Sequence, residues 1–309
     1  MSFEINTYGE IKKKQRKVAF VLSGGGVRGS FQVGFLKAAR EYGFSPDIIT
    51  GVSVGALNAA AYIQDDHDRL EALWENMSFE SIYGDGGKQD GRMDNVGQFI
   101  RFTLEWLFNQ RDRSGKLKKA GQAMGVKPVG LEKIVYGMLD EDKVRSSKID
   151  FAINLTQVYE RGIGFTRMRE KTLTKEEIPL GQMAEYILGT SAFWPLFESK
   201  EIDGNIYIDG GVSNNIPIEK ALEMGANEII VVRAGSGAGR ERKARKRRVL
   251  SGVKDVRVVT MGMDFDLGRP VTFDNKVSRQ GLEAGYIVGK RFFKEYGKLI
   301  NLRDKTLAG

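Results

Sequence analysis

Apolar positions alternate between two kinds of segment along the first quarter of the chain. Lys17-Val18-Ala19-Phe20-Val21-Leu22 is a short apolar run that ends in glycines and reads as a buried strand. Ser30 to Tyr42 carries Phe31, Val33, Phe35, Leu36 and Ala39 at helical spacing, with Gly43 as a stop. Asp47-Ile48-Ile49-Thr50 predicts a second strand, Val54 to Ile63 a small-residue helix, and His67 to Met77 another helix. Strand, helix, strand, helix in this order implies a parallel sheet covered by helices, hence an α/β fold.

The pattern breaks over residues 84–130. Gly84-Asp85-Gly86-Gly87-Lys88-Gln89-Asp90-Gly91 is loop chemistry. Val96, Phe99, Ile100, Thr103, Leu104, Leu107 and Phe108 then form one helical stripe within Val96 to Gln110. Such a stripe packs on a core or serves as a lid or interfacial helix over an apolar pocket. Further on, Phe151–Thr156 and Gly164–Met168 predict neighbouring strands joined by a turn at Glu160-Arg161-Gly162. Leu180 to Leu188 reads as a helix and Ile206-Tyr207-Ile208 as a short strand. Pro217 opens a helix that Gly225 stops. Glu228–Arg233 and Val256–Thr260 read as strands, and Val277 to Tyr296 as a closing helix. Residues 1–16 are predicted to form a polar arm. Residues 17–309 form a single domain with a lid or insertion at 84–130 and a basic loop at 235–254.

Composition narrows the classes. The 309 residues contain no cysteine and one histidine, so disulfides, thiolate metal sites and a histidine-built zinc site are excluded. A cysteine-free chain without an apolar run of about 18 residues or a signal-like start points to the cytoplasm, with peripheral membrane contact at most. The net charge of +8 is concentrated in Arg240–Arg248, which has seven basic residues and one acidic. This stretch follows Gly235-Ser236-Gly237-Ala238-Gly239, read as a flexible linker. It is a solvated loop, a contact for anionic membranes or, last, a nucleic-acid contact; no aromatics interleave the charges to stack on bases.

Three constellations carry chemistry. Gly51-Val52-Ser53-Val54-Gly55 lies at a predicted strand–helix junction, and Gly-x-Ser-x-Gly is the sharp turn that exposes a nucleophilic serine. The hydroxyl needs a base. His67, in Asp65-Asp66-His67-Asp68-Arg69, has no catalytic spacing, so Asp209 of Asp209-Gly210-Gly211 is the candidate. Gly24, Gly26 and Gly29 match Gly-x-Gly-x-x-Gly, which binds pyrophosphate in dinucleotide folds or lets backbone N–H groups approach a developing oxyanion. Asp47 sits at the wrong end of its strand to hold a ribose. In a parallel sheet the strand C-termini share one edge, and Gly26, Ser53 and Asp209 all fall at such ends.

Together these residues resemble the patatin-like phospholipase family over about residues 17–233. The similarity rests on Gly24-Gly25-Gly26-Val27-Arg28-Gly29, Gly51–Gly55 and Asp209-Gly210-Gly211, with Thr190-Ser191-Ala192-Phe193-Trp194-Pro195 and Asn214-Asn215-Ile216-Pro217 flanking the aspartate strand. The resemblance implies a three-layer α/β/α sandwich with a mostly parallel central sheet. It implies a Ser53–Asp209 dyad that cleaves carboxylic esters of phospholipids or lysophospholipids through an acyl-enzyme. Backbone N–H groups at Gly25, Gly26 and Val27 hold the oxyanion and Arg28 adds charge. No cofactor or metal is implied. Two rival classes stay open: a nicotinamide-dependent oxidoreductase, and a catalytically silent lipid-binding protein of the same fold.

Overall fold

The computed structural model describes residues 3–8, 16–84, 127–160, 166–194, 196–235, 249–250, 253–263, 267, 271 and 273–305. The striped segment Val96–Gln110, the turn at 161–162, the linker beyond Gly235 and Arg240–Arg248 lie outside these residues.

The elements run in the order β1 (Phe3–Tyr8), β2 (Val18–Leu22), a 3-10 turn (Gly26–Gly29), α1 (Ser30–Glu41), β3 (Ile48–Gly51), α2 (Val54–Ile63), α3 (His67–Glu75) and α4 (Phe79–Tyr83). There follow α5 (Val129–Met138), α6 (Glu141–Ser146), β4 (Asp150–Glu160), β5 (Thr166–Thr174), α7 (Met183–Thr190), β6 (Lys200–Ile202) and β7 (Asn205–Ile208). The chain then forms α8 (Gly211–Asn214), α9 (Ile218–Glu223), β8 (Glu228–Val232), β9 (Val256–Met261) and α10 (Asn275–Lys305).

All nine strands join one sheet in the order β1-β9-β8-β2-β3-β4-β7-β6, with β5 paired to β4. The five central strands, β9-β8-β2-β3-β4, are parallel. Strands buried on both faces read as continuous apolar runs, which is why β2 and β8 stand out in the sequence. Their side chains divide by parity. Phe20, Leu22, Ile230 and Val232 enter a core with α1, α2 and α10, whereas Ala19, Val21, Ile229 and Val231 face a second core with Ile218, Ala221 and Leu250. Leu250 lies within the segment expected to be a basic loop, yet it is buried there.

The register places Leu22, Gly51, Ile153 and Val232 in one row across the sheet. The segments that follow β2, β3 and β8 therefore leave from one edge. Asp209 reaches that edge by another route than expected. Strand β4 continues past the row, and β7 runs back antiparallel to it, with Ile208 opposite Thr156.

Two further departures have physical causes. Residues 3–8 of the polar arm pair antiparallel with β9, from Phe3 against Met261 to Tyr8 against Val256. Arg16 then pins the arm's exit by binding Glu228, 2.6 Å from Nε, while its guanidinium lies over the ring of Tyr296. The helix expected from Leu180 begins only at Met183, because Gly181 is in the left-handed region at φ 80° and Gln182 takes the cap position. Helix α10 seats directly on α1. A Cβ on Gly34 would strike the carbonyl oxygen of Leu282, and one on Gly285 would strike that of Phe31, so glycine is required on both sides of the contact. Phe292 and Phe293 continue the same seam against Phe35. Among the described residues no helix is long and apolar enough to cross a membrane.

Candidate active site

Strand β3 turns into α2 within two residues. A Cβ on Gly51 would lie 2.5 Å from Ala56 Cα, and one on Gly55 would lie 2.5 Å from the Leu22 carbonyl oxygen, so only glycine admits this turn. Between them Ser53 is held at φ 53° and ψ −130°, a conformation costing a non-glycine residue about 1–3 kcal/mol. Surrounding hydrogen bonds fix it there. Val52 N–H donates to Leu22 O at 3.1 Å, and Ser53 N–H donates to Thr190 Oγ1 at 3.0 Å. The Thr190 hydroxyl in turn donates to the Asn154 carbonyl.

Asp209 is held by its backbone as firmly. Its N–H donates to Ala192 O at 2.8 Å, and its carbonyl accepts from Thr156 Oγ1 at 2.9 Å. Gly210 backs onto the Asn154 carbonyl, leaving no room for a side chain. The Asp209 carboxylate is 5% exposed and Ser53 6% exposed. Gly211 N–H donates to Asp209 Oδ1 at 2.7 Å, and the Ser53 hydroxyl lies close enough to the same carboxylate to lower its pKa. Burial raises the Asp209 pKa to about 6, against the smaller opposing effects of the Ser53 hydroxyl and the Gly211 N–H.

The glycine loop after β2 is clamped from both sides. Asn215, just after α8, accepts from Gly24 N–H at 2.9 Å and returns a bond to Gly24 O at 3.2 Å. Ala234 N–H donates to Ser23 Oγ at 2.9 Å, and Gln32 Nε2 donates to the carbonyls of Ser23 and Val232. Behind it Trp74 Nε1 donates to Asn58 Oδ1, whose amide donates to Gln32 Oε1 and Gly29 O. This satisfied, buried chain of amides fixes the loop where α1 begins.

These parts meet at a cavity of about 780 Å³. Gly24, Gly25, Gly26, Arg28, Ser53 and Asp209 line it, as the sequence suggested. Val27 and Gly29 do not; Val27 is buried in the core and Gly29 faces Trp74. Gly51 and Gly55 lie behind the wall and shape the turn. Ile82, Leu131, Phe197, Val271 and Phe273 make much of the remainder apolar. His67 is elsewhere: it contacts the Tyr62 ring and binds Asp65 Oδ1 at 2.8 Å. Burial lowers its pKa, with the charge of Arg40 acting in the same direction. Among the described residues no group of three histidine or carboxylate side chains is placed to hold a metal ion.

Sequence reasoning missed Thr190, Asn154, Thr156 and Asn215. Thr190 and Asn215 fall inside the segments noted beside the aspartate, but their hydrogen-bonding roles depend on contacts between distant parts of the chain.

A family model described as patatin-like phospholipase matches residues 20–222. A lysophospholipase NTE1 from Mycosarcoma maydis is 24% identical over 227 residues, covering 71% of this chain and 10% of that protein. One from Aspergillus terreus is 26% identical over 222 residues, covering 72% and 12%. The chain thus spans about a tenth of the length of these relatives. Among solved structures, human GIVD cytosolic phospholipase A2 in complex with methyl gamma-linolenyl fluorophosphonate gives a TM-score of 0.49 at 10% identity, covering 94% of this chain and 60% of that one. VipD from Legionella pneumophila gives 0.48 at 13% identity, covering 95% and 70%. With the family model spanning the glycine-loop, serine-turn and aspartate motifs, the chain belongs to the patatin-like phospholipase family.

Proposed function

We propose that this protein hydrolyses carboxylic esters of phospholipids or lysophospholipids with a Ser53–Asp209 dyad. The observation that carries the proposal is the Ser53 hydroxyl beside the buried Asp209 carboxylate at a largely apolar cavity. Asp209 takes the proton as Ser53 Oγ attacks the ester carbonyl. It returns that proton to the leaving alcohol, and an acyl group remains on Ser53. Asp209 then deprotonates the water that releases the fatty acid. A carboxylate with its pKa near 6 is a better base than an ordinary one and is still ionised at neutral pH. The oxyanion is held by N–H groups of Gly25 and Gly26, with Arg28 adding charge, whereas Val27, expected to share this role, lies off the cavity; losing one such donor typically costs about 100- to 1000-fold in rate. The N-terminus of α2, directly after Ser53, favours the same negative charge.

The dinucleotide reading loses ground on two observations. Strand β3 ends in the serine turn rather than in an acid, and Gly24 N–H is occupied by Asn215. The silent-protein reading is disfavoured by the intact serine–carboxylate contact. Labelling with a fluorophosphonate ester tests the proposal. Wild type is expected to be modified on Ser53 and Ser53→Ala to remain unlabelled; equal labelling of both, or none of wild type, rejects it.

A further inference from the structure

Strand β4 lies between β3, which ends at the serine turn, and β7, which delivers Asp209. Asn154 follows Ile153, the residue of β4 level with Gly51, and is fully buried. Its carbonyl accepts from the Thr190 hydroxyl, which itself accepts the Ser53 N–H. Its side-chain Nδ2 donates to the Gly210 carbonyl at 3.0 Å and to the Asn214 carbonyl at 2.8 Å. Gly210 is the residue after Asp209. Asn214 precedes Asn215, whose amide holds Gly24 through both its N–H and its carbonyl. One residue of β4 thus touches the supports of the serine turn, the aspartate turn and the glycine loop.

The orientation of this amide is forced. The two carbonyls can only accept, so the nitrogen must face them. The oxygen then turns towards β5, where Thr172, the register partner of Asn154, donates from Oγ1 to Oδ1 at 2.9 Å. Both ends of the amide are engaged, and it has one way to sit.

Resting on the hydrolase reading above, we propose that Asn154 is a positioning residue that sets the spacing of Ser53, Asp209 and the glycine loop, and that Thr172 locks it in place. A nucleophile, its base and its oxyanion donors act together only while their separations hold, and a misplacement of about 1 Å can cost about 100-fold in rate. Neither Asn154 nor Thr172 lines the cavity, so neither meets the substrate. Losing either slows the chemical step and spares binding.

The test separates kcat from KM on a p-nitrophenyl ester in the full-length protein, alongside the rate of fluorophosphonate labelling. Asn154→Leu keeps the side-chain volume and removes the three side-chain bonds. It should lower kcat and the labelling rate about 10- to 100-fold and leave KM within about twofold. Thr172→Val, on a half-buried residue of β5, should lower kcat by about 2- to 10-fold, the span of one neutral hydrogen bond. The double variant should be no slower than Asn154→Leu alone, since Thr172 acts through Asn154. Val144→Ala, a core truncation in α6 away from the cavity, gives the reference for lost stability: its thermal midpoint should fall while kcat holds. If Asn154→Leu does not fold, Thr172→Val carries the test alone. Unchanged kcat in the variants overturns the proposal, as does a kcat loss no larger than that of Val144→Ala, or a rise in KM that accounts for the whole effect. Wild type that neither hydrolyses the ester nor labels rejects the hydrolase reading and this proposal with it. An active wild type matched by its variants rejects this proposal alone.

Discussion

Ser53 and Asp209 face one cavity from the ends of β3 and β7, two strands that flank β4 and run in opposite directions. Removing the hydroxyl should leave that framework intact. Ser53→Ala deletes one oxygen and no core packing, so it should abolish ester hydrolysis while the thermal midpoint stays close to wild type. Wild-type turnover of p-nitrophenyl esters by the alanine variant would remove Ser53 from the mechanism.

Asp209→Asn should lower kcat/KM by about 100- to 10,000-fold, the usual span for losing a general base. In wild type, kcat/KM should rise about tenfold per pH unit and level off above about pH 6, where the carboxylate is ionised. His67→Ala should leave that profile in place; loss of activity with a stable fold would restore histidine as the base.

The same carboxylate carries a stability cost with a definite sign. Its folded pKa of about 6 lies above its ordinary value of 3.8, so its stabilising contribution is complete below the ordinary value and is lost as pH rises through about 6. The asparagine variant should therefore match wild type in acid, gain on it as pH rises to about 6, and hold a constant advantage of ~2–3 kcal/mol above. Denaturant titrations at several pH values measure this. An advantage that shrinks with rising pH would contradict the burial of Asp209.

Thr190→Val should slow catalysis without a matching change in KM. The hydroxyl accepts from Ser53 N–H and donates to Asn154 O. Losing it strands two buried polar groups, at about 1–3 kcal/mol each. A variant with unchanged kcat and thermal midpoint would show that the serine turn holds itself.

Hydrolysis should survive EDTA. Carboxylates alone could still recruit calcium, so the experiment discriminates: activity lost to the chelator and restored by calcium would refute a metal-free dyad.

Replacing the basic residues of Arg240–Arg248 with glutamine should weaken binding to anionic vesicles and spare hydrolysis of a soluble ester. The segment's charge is +6, seven basic minus one acidic. Wild-type binding should also fall with salt, since the Debye length is about 8 Å at physiological ionic strength. If the variant and wild type bind anionic and neutral vesicles alike, the stretch is only a solvated loop.

The central strands and the serine turn could be read from the chain because their causes are local. Buried parallel strands appear as apolar runs, and Gly51 and Gly55 mark a turn that nothing larger can make. Other features depend on partners far away in sequence. Phe3–Tyr8 is half polar and becomes a strand only by pairing with β9. Asp209 was legible as a residue but not in its approach, because the antiparallel direction of β7 is set by its register on β4. Thr190 and Asn215 have no motif of their own; their roles come from the neighbours that the sheet edge supplies.

Glycine-to-carbonyl seating of α10 on α1 has a consequence for how the family segment relates to the folding unit. The family model's match ends at residue 222, before β8, β9 and α10. A chain cut there would keep Ser53 and Asp209 yet strip α1 of Phe292 and Phe293, remove one flank of β2 and free the helix that starts at the glycine loop. The stretch that the family model matches holds the glycine loop, the serine turn and Asp209. The packing that holds α1 in place comes from α10, and a single methyl group at Gly34 on one helix or Gly285 on the other would break it.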